Sequence, residues 1–585
     1  MRATFAGLNT MVRGIMANQL SLDTTGHNIT NAGTEGYSRQ VVTLATTYAE
    51  ERPSLHGTVI VGTGVDALAV NRARNVYADI QYRNENPTQQ YYKTLSVNYD
   101  KLETIFNDSQ NLGIEEAINK FYQTWVDVST MASNSASRTQ VIEQGRELSD
   151  RIQSATAELQ EQIRSEYKDI DSELKQIDDL LEGIRAFNNQ ILSQEVTGAQ
   201  ANDIRDRRDL LVDQLSDYLN IDVHENEFGA YQINSGGITL VNAQARAHLV
   251  MSDGVSSSTY GVDYGVTDYN IKIKESDIVF VPQNGIIKAR LDAIAENKDY
   301  IDKLANIASF MLSTFNDQHK QGWDLDGHSK TDFSGNTVPD TINFFGQTDL
   351  KYEYRYDPDT KTNYLYRYDS GNPTSTTGGE LLSGVRIIDA LEVNVKFSEN
   401  RGDRYIAAAT SKEYVENAAG SGSWQDIAWN NRTGDGTNAV YMSELFNIPM
   451  ETILSDDKAN ALVYANALLR DKDGNYLDED GNVTTDPNKY VYATPMTKLS
   501  INAYYEQSMS YLGINAYSVD VNYEAMQNVI TQIQNWRDSM AGVDWNEELT
   551  KMIQFQKGFG SCSRCLNAMD EMLDRLVNST GVVGR

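Results

Sequence analysis

The chain has 585 residues, of which 40% are hydrophobic and 23% charged. It is too long for a single compact core, so about two to four domains are expected, and its ordinary balance predicts that most of it folds. A net charge of −32 argues against a nucleic-acid-binding surface or a basic membrane-binding face, and no run approaches the ~20 apolar residues of a membrane span.

The first twenty residues lack an unbroken apolar stretch and a small-residue cleavage site, so no cleaved secretory signal is expected. Instead Phe5, Leu8, Val12, Ile15, Gln19 and Leu22 step by three and four, the stripe of a heptad-like helix. A polar run from Asn28 through Asn31 and Gly36 to Tyr37 should end it, because Asn and Gly accept the backbone angles that stop a helix. Residues 41–47 and 57–70 are rich in Val and Thr and read as extended.

From about residue 71 to 218 the pattern is almost wholly helical. The longest helix, about 138–192, carries Ile152, Leu159, Ile163, Ile170, Leu174, Ile177, Leu181 and Ile184 without an internal cap, which suggests a coiled-coil-like rod. A further helix, 202–219, contains the run Ile204 to Asp209, read as a solvated face with i,i+4 pairs. Residues 221–282 read as strands, 286–315 as helix, and 317–431, rich in Gly, Thr, Asp and Tyr, as an all-β region with many turns. A short helix at 438–446 and a turn-rich loop at 471–488 follow. Helix resumes near 497 and runs to the end, with a break at Ala541 and Gly542.

That last helix carries a second seam: Leu549, Met552, Gln556, Phe559, Cys562, Leu566, Met569, Leu573 and Leu576. The stripe is narrow, the kind that suits another helix rather than a broad core. The N-terminal stripe is the obvious partner within the chain. The fold class expected is therefore α+β multidomain: a long helical rod built from both termini, with all-β outer structure inserted. The corresponding division is 1–60, an N-terminal helix and extended segment; 61–316, mainly helical with a β segment at about 221–285; 317–431, a β-rich insertion; 432–540, a return to the rod with an inserted loop at about 455–496; and 541–585, the C-terminal helix.

Enzyme signatures are scarce. No two of the six His have the i,i+4 spacing of a helical zinc site, and there is no P-loop, nucleophile elbow or dinucleotide fingerprint. Asp471 to Asn475 opens like a calcium loop, but Tyr476 stands where the sharp turn needs Gly. Arg401-Gly402-Asp403 reads as a chance turn. Cys562 and Cys565 form a C-x-x-C inside the heptad pattern, where Cys562 reads as a small packing residue. No catalytic residue, cofactor or metal site is expected.

The stretch from Gly7 to Gln40 resembles the N-terminal signature of the flagellar axial proteins, the rod, hook and hook-associated proteins, whose first helix ends in an Asn-Ile-x-Asn-Ala-x-Thr-x-Gly-aromatic run. Asn28, Asn31, Gly36 and Tyr37 carry it here, and Gly36-Tyr37-Ser38-Arg39-Gln40 is similar to the hook-associated form. Asn202 to Asp209, Asn316 to Gly322 with Phe344 and Phe345, Gly434 to Ala439, and 544–578 resemble further motifs of that family, in the same order. Residues 446–496 look like an insertion, and the cysteines are unusual for the family.

The resemblance implies a non-enzymatic structural subunit, extracellular in the flagellum and exported by its own type III apparatus without a cleaved signal. It implies self-assembly through Phe5, Leu8, Val12, Ile15 and Leu22 at one end. At the other end it implies Leu549, Met552, Phe559, Cys562, Leu566, Met569, Leu573 and Leu576, which a cytoplasmic export chaperone would cover beforehand. Implied partners are the hook protein and a second junction protein beside the filament, with no nucleic acid and no membrane. The alternatives are another axial subunit, of hook or filament, or a surface adhesin binding glycans through the β-rich insertion, with its tyrosines between Tyr352 and Tyr368.

Overall fold

A computed structural model of the chain describes residues 5–54, 57–106, 113–196, 198, 200–242, 245–331, 337–357, 362–369, 379–410, 412–416, 422–426, 434–448, 450, 475, 478, 482–486 and 499–579. Most of the expected inserted loop at 455–496, and the calcium-like turn from Asp471, lie outside these residues.

Helix α1 (Phe5–Thr30) leads into two nested antiparallel ribbons: β1 (Gln40–Thr46) pairs with β4 (Val65–Arg72), and β2 (Glu50–Ser54) with β3 (Gly57–Val61). Then come α2 (Val76–Phe106), α3 (Ile114–Thr130), α4 (Ser135–Glu195) and α5 (Asn202–Tyr218). The expected helical onset near residue 71 is late by one element, because β4 holds Asn71 and Arg72 in ladder register with Val41 and Gln40. Helix α4 is the mast of the body, roughly 90 Å long at ~1.5 Å per residue. The Asn134 side chain accepts from the Ala136 N–H to start it, satisfying a donor the first turn leaves open. All eight apolar positions read from the sequence of this helix are buried, shared among α3, α5 and later elements rather than along one two-stranded seam.

A four-stranded meander follows, β5 (Asp222–Glu225), β6 (Tyr231–Ser235), β7 (Ile238–Asn242) and β8 (Ala245–Arg246), then short strands up to Val279. Helix α6 (Ile286–Phe310) passes through one π-helical turn, Met311–Phe315, into α7 (Asn316–Gln321).

The stretch expected to be all-β from 317 to 431 is not. It does contain antiparallel ribbons, among them Leu350–Asp357 with Thr362–Asp369. It also contains α7, a helical turn α8 (Val385–Asp389) and two 3₁₀ turns. Its Phe344, Phe345, Leu391 and Ile406 are buried in the same core as Phe121, Trp125 and Phe315 of the helices. Short apolar runs between Gly and Asp clusters look like strands in sequence, but here they plug the helical body. Tyr352, one of the tyrosines of the adhesin alternative, is buried rather than displayed.

Helices α9 (Thr437–Glu444), α10 (Ile501–Ala541) and α11 (Trp545–Ser579) complete the chain. Helix α10 lies antiparallel along α2, with Ser96 bonded to Asp520 and Asp79 paired with Arg537. Among the described residues, the continuous hydrophobic core includes no side chain of α1, the β1–β4 ribbons or α11. Those elements form a separate module on the end of the body. No helix of the described residues is long and apolar enough to cross a membrane.

Candidate functional site: the terminal helix pair and its joint

Helices α1 and α11 run antiparallel in constant register. A Cβ on Gly7 would lie 3.1 Å from Met569 Cε, and one on Gly14 would lie 3.0 Å from Cys562 Sγ. On the other helix, a Cβ on Gly558 would meet Asn18, and Glu548 bonds Asn28. Each step along one helix is matched by an equal step along the other. The line of closest approach on α1 is therefore small and polar, Gly7, Gly14, Asn18 and Asn28. The larger Leu8, Val12, Ile15 and Leu22 flank it, half-buried. On α11, Met552, Cys562, Leu566, Met569 and Leu573 are half-buried, while Leu549 and Phe559 stay exposed. The side chains of Phe5 and Leu576 lie outside the described residues. One chain thus leaves much of both seams in water.

The turn after α1 is organised by Asn28, which is 1% exposed. Its Nδ2 donates to the Gln40 carbonyl and to Glu548 Oε2, both at 2.9 Å. Its Oδ1 accepts from the Tyr37 hydroxyl at 2.7 Å and the Gln40 N–H at 2.9 Å. Two donors and two acceptor sites are the whole capacity of an amide, so one side chain ties together the end of α1, the turn, the start of β1 and the first turn of α11. Glu548 is the only fully buried residue of α11 among those described, and Lys551 pairs with its other oxygen at 3.1 Å. Asn31 caps α1, its Nδ2 and backbone N–H both donating to the His27 carbonyl. Gly36 sits at φ +75°, with Leu210 where a Cβ would point, so a side chain there would be strained and crowded.

The chain aligns with curated relatives over essentially its whole length. It is 24% identical to the flagellar hook-associated protein 1 of Bacillus subtilis, with 100% of both chains covered. It is 23% identical to that of Escherichia coli, covering 98% of this chain and 99% of the other. The model of the flagellar hook-associated protein FlgK helical domain matches residues 99–333, and that of the flagellar basal body rod FlgEFG protein C-terminal region matches 537–579. The chain is similar to flagellar hook-associated protein 1 along essentially its full length. The flagellar hook junction protein FlgK of Burkholderia pseudomallei shares the fold, with a TM-score of 0.51, 16% identity, and coverage of 78% of this chain and 100% of that one.

The chain fastens its terminal module to the body through α5. The Ser38 N–H donates to Asp206 and the Gln40 amide to Asp203, at 2.9 and 2.7 Å. The Arg39 N–H donates to the Ala541 carbonyl at 2.9 Å, and its guanidinium pairs with Glu547 at 3.1 Å. Asp206, Asp209 and Asp213 recur at helical spacing on one side of α5. Arg72 bridges the first two at 2.9 and 2.7 Å. Arg83 reaches Asp209 and Asp213 at 3.2 and 2.7 Å. Arg74 pairs with Asp79 and Asp209 at 2.6 and 3.2 Å, and Arg537 closes the set on Asp79 and Asp213. Four carboxylates face four guanidiniums. Burial alone would raise the Asp209 carboxyl, but Arg74, Arg83 and Arg72 outweigh it and hold it well below the usual carboxylate range.

The reading of 204–209 as a solvated face is thus corrected: Asp206, Arg208 and Asp209 are buried. Arg208 donates to the Gly229 carbonyl at 2.5 Å and lies 3.4 Å above the Tyr231 ring. A charged run looks alike in sequence whether its partners are water or arginines more than a hundred residues away. The three-and-four spacing of the aspartates was the available signal. Glu548 left no signal beyond its place beside the seam.

The other motifs named from the sequence are staples inside the body. Asn316 donates to the Phe345 carbonyl at 2.8 Å and accepts from the Phe344 and Phe345 N–H groups at 2.9 Å. The fully buried His319 bonds the Ile342 carbonyl through Nδ1 at 2.9 Å and accepts from the Ala407 N–H through Nε2 at 3.0 Å. That pair of partners demands the neutral ring protonated on Nδ1, and burial pushes its pKa down to about 4. Asn438 accepts from Gln318 and donates to the Ala407 carbonyl. Cys562 and Cys565 are free thiols, the first half-buried against Gly14 and the second exposed.

Proposed function

We propose that this chain is a structural subunit of the bacterial flagellum at the hook–filament junction, and that the outer faces of α1 and α11 are completed by neighbouring subunits. The observation that carries the reading is the constant-register pair of terminal helices with its seams half open. Burying one large apolar side chain contributes roughly 1.5–3 kcal/mol, so several such positions per helix make a strong association surface. Phe5, Leu8, Val12, Ile15 and Leu22, together with Leu549, Met552, Phe559, Cys562, Leu566, Met569, Leu573 and Leu576, form that surface. Asn28, Asn31 and Gly36 to Gln40 hold it to the body.

On this reading residues 1–60 and 541–585 belong to the inner tube, 61–316 and 432–540 to the rod, and 317–431 to the outer region. The neighbours are further copies, the hook protein on one side and a second junction protein on the filament side. An export chaperone shields α11 before the chain leaves by the flagellar type III route. No catalytic step is part of the role.

The test is electron microscopy of cells lacking the protein, complemented with the wild-type or Leu566→Asp chain. Wild type should restore filaments. Leu566→Asp should leave bare hooks, although the purified variant melts like wild type. Normal filaments in the uncomplemented strain would sink the junction role, and normal filaments on Leu566→Asp would sink the seam as the assembly surface.

A further inference from the structure

The hydrogen bonds around the turn after α1 fix where its protons lie, and they leave one nitrogen of His27 facing a carboxylate of the body. The Gln40 N–H can only donate and the Gln40 carbonyl can only accept, so their contacts place the oxygen and the nitrogen of the Asn28 amide. The Tyr37 hydroxyl lies 2.7 Å from that oxygen and must spend its one proton there. Burial, with Asp203, Asp206 and Glu548 adding to it, raises the Tyr37 pKa, so the hydroxyl keeps that proton well above neutral pH. Toward His27 Nδ1, 3.0 Å away, it can therefore only accept. Nδ1 carries a hydrogen whatever the charge of the ring.

The neutral ring then has a bare lone pair on Nε2. That atom faces Asp203 Oδ2 of α5 at 3.6 Å, two acceptors with no proton between them. The gap is too long for a hydrogen bond. A proton taken up at Nε2 turns the same contact into a charge-assisted one, and Asp203, about half exposed, has room to turn toward it. The other oxygen of Asp203 holds the Gln40 amide at 2.7 Å. Among the described residues no other cation pairs with Asp203, Arg207 one turn along α5 included. The remaining charges around the ring are engaged or point to water. Asp206 of α5 is held by the Ser38 N–H and Arg72, Glu548 of α11 by Asn28 and Lys551, and Arg39 is paired with Glu547. Asp23, one turn back on α1, and Glu35 of the turn are exposed.

We propose that His27 is a proton-operated latch between the terminal module and the body: a proton at Nε2 ties α1 to Asp203 of α5, and its loss releases that tie. Imidazole is the side chain whose charge changes near neutral pH. The tie is present on the acid side of that range and is lost as pH rises through it. The sense is opposite to that of His319, which is buried as the neutral ring and weakens the body in acid. A half-exposed ion pair shifts an equilibrium by up to about fivefold, so the latch sets how freely the terminal helices swing on the body and does not decide whether the chain folds. It goes beyond the junction-subunit reading and stands on the geometry of the joint alone.

The test uses the whole purified chain with ring-labelled histidine, the signal of His27 among the six His being identified by its loss in His27→Gln. In nitrogen NMR the neutral ring at about pH 8.5 should be the Nδ1–H tautomer, and at about pH 5.5 both nitrogens should be protonated. An Nε2–H tautomer at the higher pH overturns the latch. Amide exchange of residues 37–42, corrected for the chemical rate at each pH, reads the joint itself. Protection should rise about two- to fivefold from about pH 8 to about pH 6 in the wild-type chain, and the rise should be absent in His27→Gln and in Asp203→Asn. A variant that merely loosened the turn would lower protection equally at both pH values. No rise in the wild-type chain, or the same rise in both variants, overturns the latch. Neither measurement involves a filament, so its failure leaves the junction reading standing.

Discussion

Replacing Asn28 by Asp should uncouple the terminal module from its own joint while leaving the body intact. The amide makes four bonds, three to neutral groups and one to the Glu548 carboxylate. At about 1 kcal/mol net for a neutral hydrogen bond and about 1.5–3 for one to a charge, their sum is about 4.5–6 kcal/mol. Water reaching a loosened turn would recover part of that, leaving roughly 3 kcal/mol. Asp is worse than Ala here. Its second oxygen would face the Gln40 carbonyl and Glu548 Oε2, two acceptors with no proton to share, one of them negative in a buried place. The assay is native-state amide exchange. A loss of about 3 kcal/mol corresponds to roughly a hundredfold drop in protection at ~1.4 kcal/mol per tenfold. The drop should appear in residues 37–42 and 545–552, with Ala intermediate and α3 and α4 unchanged. Equal protection of 545–552 in wild type and Asn28→Asp would refute the argument that this side chain joins the two ends of the chain.

Three further expectations follow from the geometry. His319 is neutral when folded, with a pKa of about 4 against an ordinary 6.5, so the unfolded chain takes up its proton first as pH falls. Stability from this group is intact above pH 6.5 and is lost between 6.5 and 4, by about 3 kcal/mol at ~1.4 kcal/mol per unit; urea titrations should show that slope, and it should flatten in His319→Gln. Asp209→Asn removes the carboxylate that Arg72, Arg74 and Arg83 share and strands buried cations, which should cost about 3–5 kcal/mol, read as a lower melting temperature. Gly14→Val should part α1 from α11, since even its Cβ would be 3.0 Å from Cys562 Sγ. Alkylation of Cys562 should then speed up towards the rate of the exposed Cys565; an unchanged rate would contradict the close helix crossing.

The amino-acid sequence by itself determined the elements whose signal is periodic and local. The mast helix, both terminal helices and the turn closed by Asn31 and Gly36 were legible, because apolar spacing and backbone-permissive residues act within a few positions of themselves. The likeness to flagellar axial proteins was legible for the same reason, through short motifs at Asn28 to Gln40, Asn316 to Gly322 and Asn438.

What those motifs do was decided only by tertiary structure. Asn28 becomes a keystone because Glu548, at the far end of the chain, arrives beside it. The aspartates of α5 become a buried joint because Arg72 of β4, Arg74 of the turn after it, Arg83 of α2 and Arg537 of α10 converge on them. Phe344 and Ile406 enter the helical core because Asn316 and His319 hold their segments there. The stripe of large apolar residues on α1 gave way, as the line of closest contact, to Gly7 and Gly14, because two helices approach most closely where side chains are smallest. Periodicity reports which face of a helix avoids water, but which partner covers that face depends on contacts between residues hundreds of positions apart.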